Sequence, residues 1–193
     1  MNRKFSLIML LFSVIALGVS AQVKYVTKSF EVVIAGTSNV HDWTSKATTV
    51  NVTGDFDIVN GSFNKLTSAV VTVPAKSIKS TKESGIMDER TYTTIKADKN
   101  PTIAYVCTKL VSTQKNGAET IVTVLGNLTI AGVTKPTELV LHFKSLASGD
   151  LQVTGSRKIL LSDHGIKAPS FMLGAMKVGN EITISYDVVL KKA

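Results

Sequence analysis

The sequence has few of the residues and motifs that mark disulfide-bonded, nucleotide-binding or catalytic proteins. Cys107 is its single cysteine, so no disulfide can form within the chain. No Gly-x-Ser-x-Gly elbow, glycine-rich phosphate loop or dinucleotide fingerprint occurs. The 22 Lys and Arg residues exceed the 14 Asp and Glu residues but are scattered along the chain. The absence of a basic tract argues against a nucleic-acid partner.

The one long apolar run stands at the N-terminus, over residues 7–19, behind a short basic head. Val19-Ser20-Ala21 supplies the small residues that a signal peptidase recognises. We therefore predict a signal peptide over residues 1–21 and a single exported domain over residues 22–193. The run is too short for a comfortable transmembrane helix, and no cysteine near the cleavage position could carry a lipid anchor. Cleavage would leave a net charge of +6, and contact with an anionic membrane surface stays open.

Period-two alternation dominates residues 22–193. In the clearest segment Ile182, Ile184 and Tyr186 alternate with Thr183 and Ser185. Each segment has one apolar face and one polar face, which indicates an antiparallel sheet with a single buried side. The alternating segments number eight, at residues 24–36, 44–60, 63–74, 101–113, 119–130, 137–147, 150–162 and 180–191.

Eight antiparallel strands with one apolar face can close into a barrel, which either fills itself with side chains or holds one small ligand. Asn60-Gly61, Asn116-Gly117 and Ser148-Gly149-Asp150 predict tight turns between strands. Residues 87–95 predict a short helix, and residues 163–179 form an apolar insert that does not alternate. We therefore predict an all-β, eight-stranded antiparallel barrel with one short helix and a loop insert. A two-sheet sandwich is the rival architecture.

The stretch Gly36-Thr37-Ser38-Asn39-Val40-His41-Asp42-Trp43 gathers a serine, a histidine, an aspartate and the only tryptophan. A Ser-His-Asp triad needs the histidine within hydrogen-bond reach of both partners. In an extended chain, however, the neighbours His41 and Asp42 point to opposite faces. We interpret the stretch as a corner between two strands, in which the serine, asparagine and aspartate bond backbone groups and Trp43 lies at the barrel rim.

The three histidines, His41, His142 and His164, lie in different segments, and no pair has the spacing typical of a metal site. The fold could still bring His41 and His164 together with Asp42 or Asp163. The prediction is nevertheless that the chain is not an enzyme and has no catalytic residue, metal or cofactor, apart from a bound isoprenoid-type lipid.

The mature sequence resembles the YceI-like family over essentially its whole length. The resemblance rests on the octapeptide above and on Val52-Thr53-Gly54-Asp55-Phe56, Met87-Asp88-Glu89-Arg90-Thr91-Tyr92, Asp98-Lys99-Asn100-Pro101-Thr102-Ile103, Gly126-Asn127-Leu128-Thr129-Ile130-Ala131-Gly132-Val133-Thr134-Lys135, Gly165-Ile166-Lys167-Ala168-Pro169-Ser170-Phe171 and Gly179-Asn180-Glu181-Ile182. His164 departs from the pattern, because the family usually carries an aromatic residue there.

The resemblance implies a lipocalin-like barrel in the bacterial periplasm that holds a polyisoprenoid or an isoprenoid quinone. Together with the inward apolar faces, it leads us to expect a binding protein that sequesters or carries such a lipid. The predicted lining residues are Phe30, Val32, Ile34, Phe56, Ile58, Ile103, Tyr105, Leu141, Phe143, Phe171, Met172, Met176, Ile184 and Tyr186.

Three of these residues, Phe171, Met172 and Met176, are predicted to form an adaptable lid, because methionine side chains reshape readily. His41, Trp43 and His164 are predicted to stand at the rim of the barrel. The alternative function is a structural or interaction barrel with a filled core, which recognises a partner through its loops. Homodimerisation stays open.

Overall fold

The computed structural model describes residues 23–59 and 62–193, so the predicted signal peptide and the Asn60-Gly61 turn lie outside the described residues. The strands are β1 Val23–Ser38, β2 Trp43–Ala47, β3 Asn51–Val59, β4 Ser62–Pro74, β5 Ile78–Ser80, β6 Thr102–Asn116, β7 Glu119–Ile130, β8 Val133–Ser145, β9 Leu151–Leu160, β10 Ser170–Phe171 and β11 Met176–Lys192. The helix α1 spans Gly85–Thr94. Within the described ranges, no helix is long and apolar enough to cross a membrane.

Eight of the strands close into an antiparallel barrel. Their order is β1-β3-β4-β6-β7-β8-β9-β11, and β11 pairs back onto β1. The predicted barrel is therefore confirmed, and every predicted segment contains strand. The segment 44–60 is divided into β2 and β3, which follow each other along β1. The two short strands β5 and β10 extend the sheet beyond the barrel, beside β2 and β11.

The predicted apolar faces form the barrel interior. On β11, Ile182, Val188 and Leu190 are buried, whereas the alternating Ser185 and Asp187 are exposed. Alternation has this outcome because successive strand residues point to opposite faces of the sheet. Removing the apolar set from water stabilises the barrel by about 25 cal/mol per Å² of buried apolar area.

The helix α1 covers part of one barrel end, beside β5. It begins two residues before the predicted start at residue 87, because Ser84 caps it by accepting a hydrogen bond from the Met87 amide at 3.3 Å. Asp88 lies in the first turn, where a carboxylate is favoured. It also accepts a hydrogen bond from the Ser80 amide at 2.7 Å, which ties the helix to β5. Tyr92 lies on the buried side of α1.

The last strand starts earlier than the alternation predicts. β11 begins at Met176 rather than at residue 180, because Met176 and Lys177 pair with Phe171 and Ser170 outside the barrel core. Ladder pairing there needs no buried face, so hydrophobic alternation does not reveal it.

Candidate functional site

One end of the barrel interior is filled by four aromatic side chains, which we call the aromatic plug: Tyr25 of β1, Phe56 of β3, Phe63 of β4 and Phe143 of β8. Their ring centroids lie 4.7 Å apart for Phe63–Phe143 and 5.7 Å apart for Tyr25–Phe56 and Phe56–Phe143. Tilted and edge-on pairs at these distances are favourable contacts. None of the four is more than 5% exposed. The plug closes this end of the lumen.

Beyond the plug, part of the inner face is apolar but only partly buried. Val32 and Ile34 of β1 lie opposite Tyr186 and Ile184 of β11, and all four are partly buried. An inward-facing side chain keeps exposed area only where solvent reaches it from the lumen or through the wall. We call this region the open half. The partly buried apolar residues packed against the core here include Phe30, Ile34, Val71, Val73, Ile103, Cys107, Leu139, Leu141, Ile184 and Tyr186.

The predicted wall residues divide between these two regions. Phe56 and Phe143 belong to the aromatic plug, and Ile58 is partly buried opposite Phe63 in the β3–β4 ladder. The remaining wall residues lie in the open half: Phe30, Val32, Ile34, Ile103, Leu141, Ile184 and Tyr186 are partly buried and Tyr105 is buried. The fold therefore brings the predicted set into one interior, and ligand contact by each residue stays a prediction.

Two tyrosines of the open half direct their hydroxyl groups to backbone carbonyls of β8. The Tyr105 hydroxyl donates to the Thr137 carbonyl at 3.1 Å, and the Tyr186 hydroxyl donates to the Val140 carbonyl at 3.4 Å. Tyr186 lies over Gly155, where a β-carbon would come within 2.5 Å of the hydroxyl oxygen, so only glycine accommodates this packing.

Burial raises the pKa of both hydroxyl groups, that of Tyr186 to about 12, while the positive charge of Arg157 acts weakly in the opposite direction. Both tyrosines therefore stay neutral donors at physiological pH.

The octapeptide is a corner, as predicted. The Ser38 hydroxyl accepts from the His41 amide at 3.1 Å and donates to the His41 carbonyl at 2.7 Å. Asn39 bonds the Ala175 carbonyl and the Lys177 amide, which joins the corner to the start of β11. In the described part of the chain the Asp42 side chain makes no hydrogen bond, so its predicted backbone contact is wrong.

Trp43 is partly buried, and its indole nitrogen donates to the Thr37 carbonyl at 3.2 Å.

The histidines do not form a site. His41 is exposed, and its Nδ1 lies 2.8 Å from its neighbour's backbone oxygen, that of Asp42. His164 was expected at the rim, but it is only 2% exposed, with Nδ1 3.0 Å from the Val133 carbonyl of β8. Among residues 23–59 and 62–193, no group of three His, Cys, Asp or Glu side chains could hold a metal ion.

The predicted lid residues lie close in sequence but differ in exposure. Phe171 is partly buried, and the Arg90 guanidinium lies 4.1 Å from its ring centroid. Met176 pairs with Phe171 in the β10–β11 ladder and is also partly buried. Met172 is 72% exposed, so its side chain faces solvent rather than the lumen in this conformation. A lid role for these residues stays a prediction.

Two breaks in the wall were not predicted. β4 pairs with β6 only between Val70–Pro74 and Thr102–Val106, and β8 pairs with β9 only between His142–Ser145 and Leu151–Thr154. We call these the β4–β6 seam and the β8–β9 seam. The residues beside the β4–β6 seam alternate as they would in an intact ladder, so their pattern carries no signal for it. The inward-facing Lys135 and Arg157, which interrupt an otherwise apolar face, are signs of the second seam.

A closed, eight-stranded antiparallel barrel with an aromatic plug at one end of its interior is a lipocalin-like barrel. The YceI-like domain model matches residues 22–190, and the chain belongs to that family. Among proteins with curated functions, none matches the sequence.

Solved structures share this fold at low sequence identity. BcnA of Burkholderia cenocepacia is 15% identical with a TM-score of 0.67, and the match covers 83% of this chain and 95% of that one. A polyisoprenoid binding domain from Saccharophagus degradans, implicated in plant cell wall breakdown, is 10% identical with a TM-score of 0.66, covering 90% and 100%. The Campylobacter jejuni YceI protein is 19% identical with a TM-score of 0.60, covering 77% and 85%.

Proposed function

We propose that this protein is a periplasmic, non-catalytic binding protein that sequesters or carries an isoprenoid-type lipid, with the lipid chain in the open half of the barrel. The observation that carries the proposal is the part of the inner face around Val32, Ile34, Ile184 and Tyr186, which is apolar yet only partly buried. A soluble protein gains stability by burying such a face, so side chains that remain accessible inside a barrel favour an apolar occupant.

Apolar area alone supplies enough affinity for such a ligand. Each buried methylene group contributes about 0.8 kcal/mol, so a chain of several isoprene units needs few polar contacts. The aromatic plug limits how deeply the chain enters, because Phe56 and Phe143 already occupy the far end. An elongated lipid should therefore lie between the β1–β11 wall and β8, with the end of its chain against the plug.

The relatives support this class of ligand. The Saccharophagus degradans domain with the same fold binds polyisoprenoid, and the family match covers nearly the whole described chain. A periplasmic location agrees with the signal peptide predicted over residues 1–21, which lies outside the described residues.

The direct test is to purify the protein natively, extract it with organic solvent and analyse the extract by mass spectrometry. We expect an isoprenoid quinone or polyprenol in the extract, or uptake of either lipid when it is added to emptied protein. An extract without lipid, together with no uptake of added quinone or polyprenol, would contradict the proposal.

A second candidate is an interaction barrel that recognises a partner through its loops. The aromatic plug favours it, because one end of the interior is filled as that function requires. Met172 and Leu173, exposed at 72% and 111%, supply an apolar loop tip for contact with a partner. This candidate predicts that the extraction above finds no lipid.

A further inference from the structure

The β8–β9 seam is an opening in the barrel wall with defined ends. Next to the last ladder pair, His142 with Thr154, the Tyr186 hydroxyl bonds the Val140 carbonyl at 3.4 Å. At the other end, Nδ1 of the buried His164 lies 3.0 Å from the Val133 carbonyl. Side-chain hydrogen bonds thus hold both ends of a segment that lacks ladder bonds.

The seam contains a pocket of about 460 Å³. Its lining residues are Lys135, Pro136, Thr137, Arg157, Lys158, Ile159, Leu160, Asp163, His164 and Glu181. Thr137 and Ile159 are buried inner-face residues, because their ladder partners Gly126 and Ile182 face the interior. The pocket therefore reaches from the outer surface to the inner face of the wall.

Two cations stand on opposite edges of the seam and share the inner face. Lys135 of β8 lies opposite Leu128, and Arg157 of β9 lies opposite Ile184, both of which belong to the interior. Residues directly opposite each other in a ladder point to the same side of the sheet. A cation facing an apolar lumen must be solvated or paired, and both side chains are exposed through the seam.

The other charges of the pocket do not neutralise this pair. Lys158 is bound to Glu181 at 2.8 Å on the outer face. Within residues 23–59 and 62–193, neither Lys135 nor Arg157 has an ion-pair partner. Asp163 is the remaining acid in the lining, so the unpaired charge at the seam is positive.

We propose that the seam binds a phosphate group through Arg157 and Lys135, and that this phosphate is the headgroup of the lipid whose chain lies in the open half. Arginine presents paired N–H donors that match phosphate oxygens, and lysine adds a second positive charge. The seam connects the outer surface to the inner face, so one amphipathic molecule could occupy both places. This assignment rests on the proposed function, since it names the lipid class that the same barrel takes.

The test is a competition between a polyprenyl phosphate and the uncharged polyprenol of the same chain length, present at equal concentration and read by native mass spectrometry. Charge-assisted hydrogen bonds should make the wild-type protein prefer the phosphate by about tenfold or more. The double variant Arg157→Gln, Lys135→Gln should bind both lipids about equally, with its affinity for polyprenol unchanged. Lys144→Gln is the matched control, because it removes an exposed cation from the outer face of β8, away from the pocket lining, and should keep the wild-type preference.

A wild-type protein that binds both lipids equally overturns the headgroup assignment and leaves the lipid-binding function standing. A protein that binds neither lipid overturns both. A third arm adds excess inorganic phosphate: if free phosphate binds at Arg157 while the two lipids bind equally, the seam is a free-anion site and the headgroup assignment is wrong. A double variant that loses polyprenol as well also contradicts it, because the two cations would then support the lumen itself.

Discussion

Ladder hydrogen bonds are missing from the barrel wall at the two seams, and the side chains beside the two seams differ in kind. At the β4–β6 seam, Phe63 of β4 contacts Phe143 of β8 with ring centroids 4.7 Å apart, so aromatic rings cross the interior where ladder bonds are missing. At the β8–β9 seam, Arg157 and Lys135 face the break, and hydrogen bonds from Tyr186 and His164 hold its ends. Buried aromatic rings lie beside the first seam, whereas exposed cations line the second.

The difference shows how one small barrel separates stability from binding. Burial of large aromatic side chains stabilises the plug end strongly, since such residues contribute the most buried area. Solvated cations contribute little to stability, because exposed charges interact weakly with their surroundings. We therefore expect substitutions at the plug to change unfolding and substitutions around the open half to change ligand binding.

The largest expected effect is on the plug side. Phe143→Ala should lower the free energy of unfolding by about 3–5 kcal/mol, because it leaves a cavity among buried rings. Phe30→Ala removes the same group from the partly buried open half and should cost about 2 kcal/mol or less. Urea unfolding of both variants measures the two values. Equal losses would show that the two regions do not differ in packing.

The open half is tested by filling it. Ile184→Trp places a large ring on the inner face and should weaken lipid binding by about tenfold or more, which corresponds to about 1.4 kcal/mol. Ser185→Trp, the next residue on the outer face, is the control and should bind lipid as the wild type does. Titration with a quinone or polyprenol gives both affinities. Unaltered binding by Ile184→Trp would place the ligand elsewhere.

A smaller effect is expected at the end of the β8–β9 seam. Tyr186→Phe removes the bond to the Val140 carbonyl and should cost about 0.5–1 kcal/mol of unfolding free energy. Burial raises the pKa of Tyr186 to about 12, so its neutral form adds stability below pH about 10 that is lost as the pH rises through about 12. A spectrophotometric titration of the wild type should show an ionisation near pH 12 that is missing in Tyr186→Phe. Persistence of that step in the variant would contradict the assignment.

The smallest effect is expected beside the plug. Lys28 binds Asp150 at 2.6 Å, and hydrogen bonds from Lys28 and Ser148 hold the pKa of the Asp150 carboxyl below its ordinary value. This carboxylate adds stability above the ordinary carboxyl pKa, and the contribution is lost as the pH falls through the lowered, folded-state pKa. Asp150→Asn should therefore lower the Tm slightly near neutral pH.

The difference in Tm between Asp150→Asn and the wild type should shrink at acidic pH, measured by calorimetry across that range. Asp42→Asn, at an exposed loop position, is the control and should leave the Tm unchanged. A difference that is constant with pH would show that the charge of Asp150 does not contribute.

The strands were predictable because apolar and polar residues alternate within each segment, and this local pattern indicates which side chains are buried. The apolar run of Ile182, Ile184 and Tyr186 sufficed to predict the inner face of β11. The division of the barrel interior into the aromatic plug and the open half was not predictable. Phe56 and Phe143 look like Phe30 in sequence, and only the meeting of several strands separates plug residues from open-half residues.

The seams were not predictable for a related reason. Residues beside the β4–β6 seam alternate as they would in an intact ladder, and the cations Lys135 and Arg157 beside the β8–β9 seam do not show whether their strand edges pair. His164 illustrates the same limit. It is buried beside β8, with its Nδ1 3.0 Å from the carbonyl of Val133, which lies 31 residues earlier in the chain.

The central claim is that the lipid chain lies in the open half and stops at the aromatic plug. A crystal structure of the lipid-loaded protein tests it most directly. We expect continuous density beside Phe30, Ile34 and Ile184 that ends against Phe56 and Phe143, with the rings of these two residues unmoved. Density that passes through the plug, or lipid bound only outside a lumen filled by side chains, would contradict the claim.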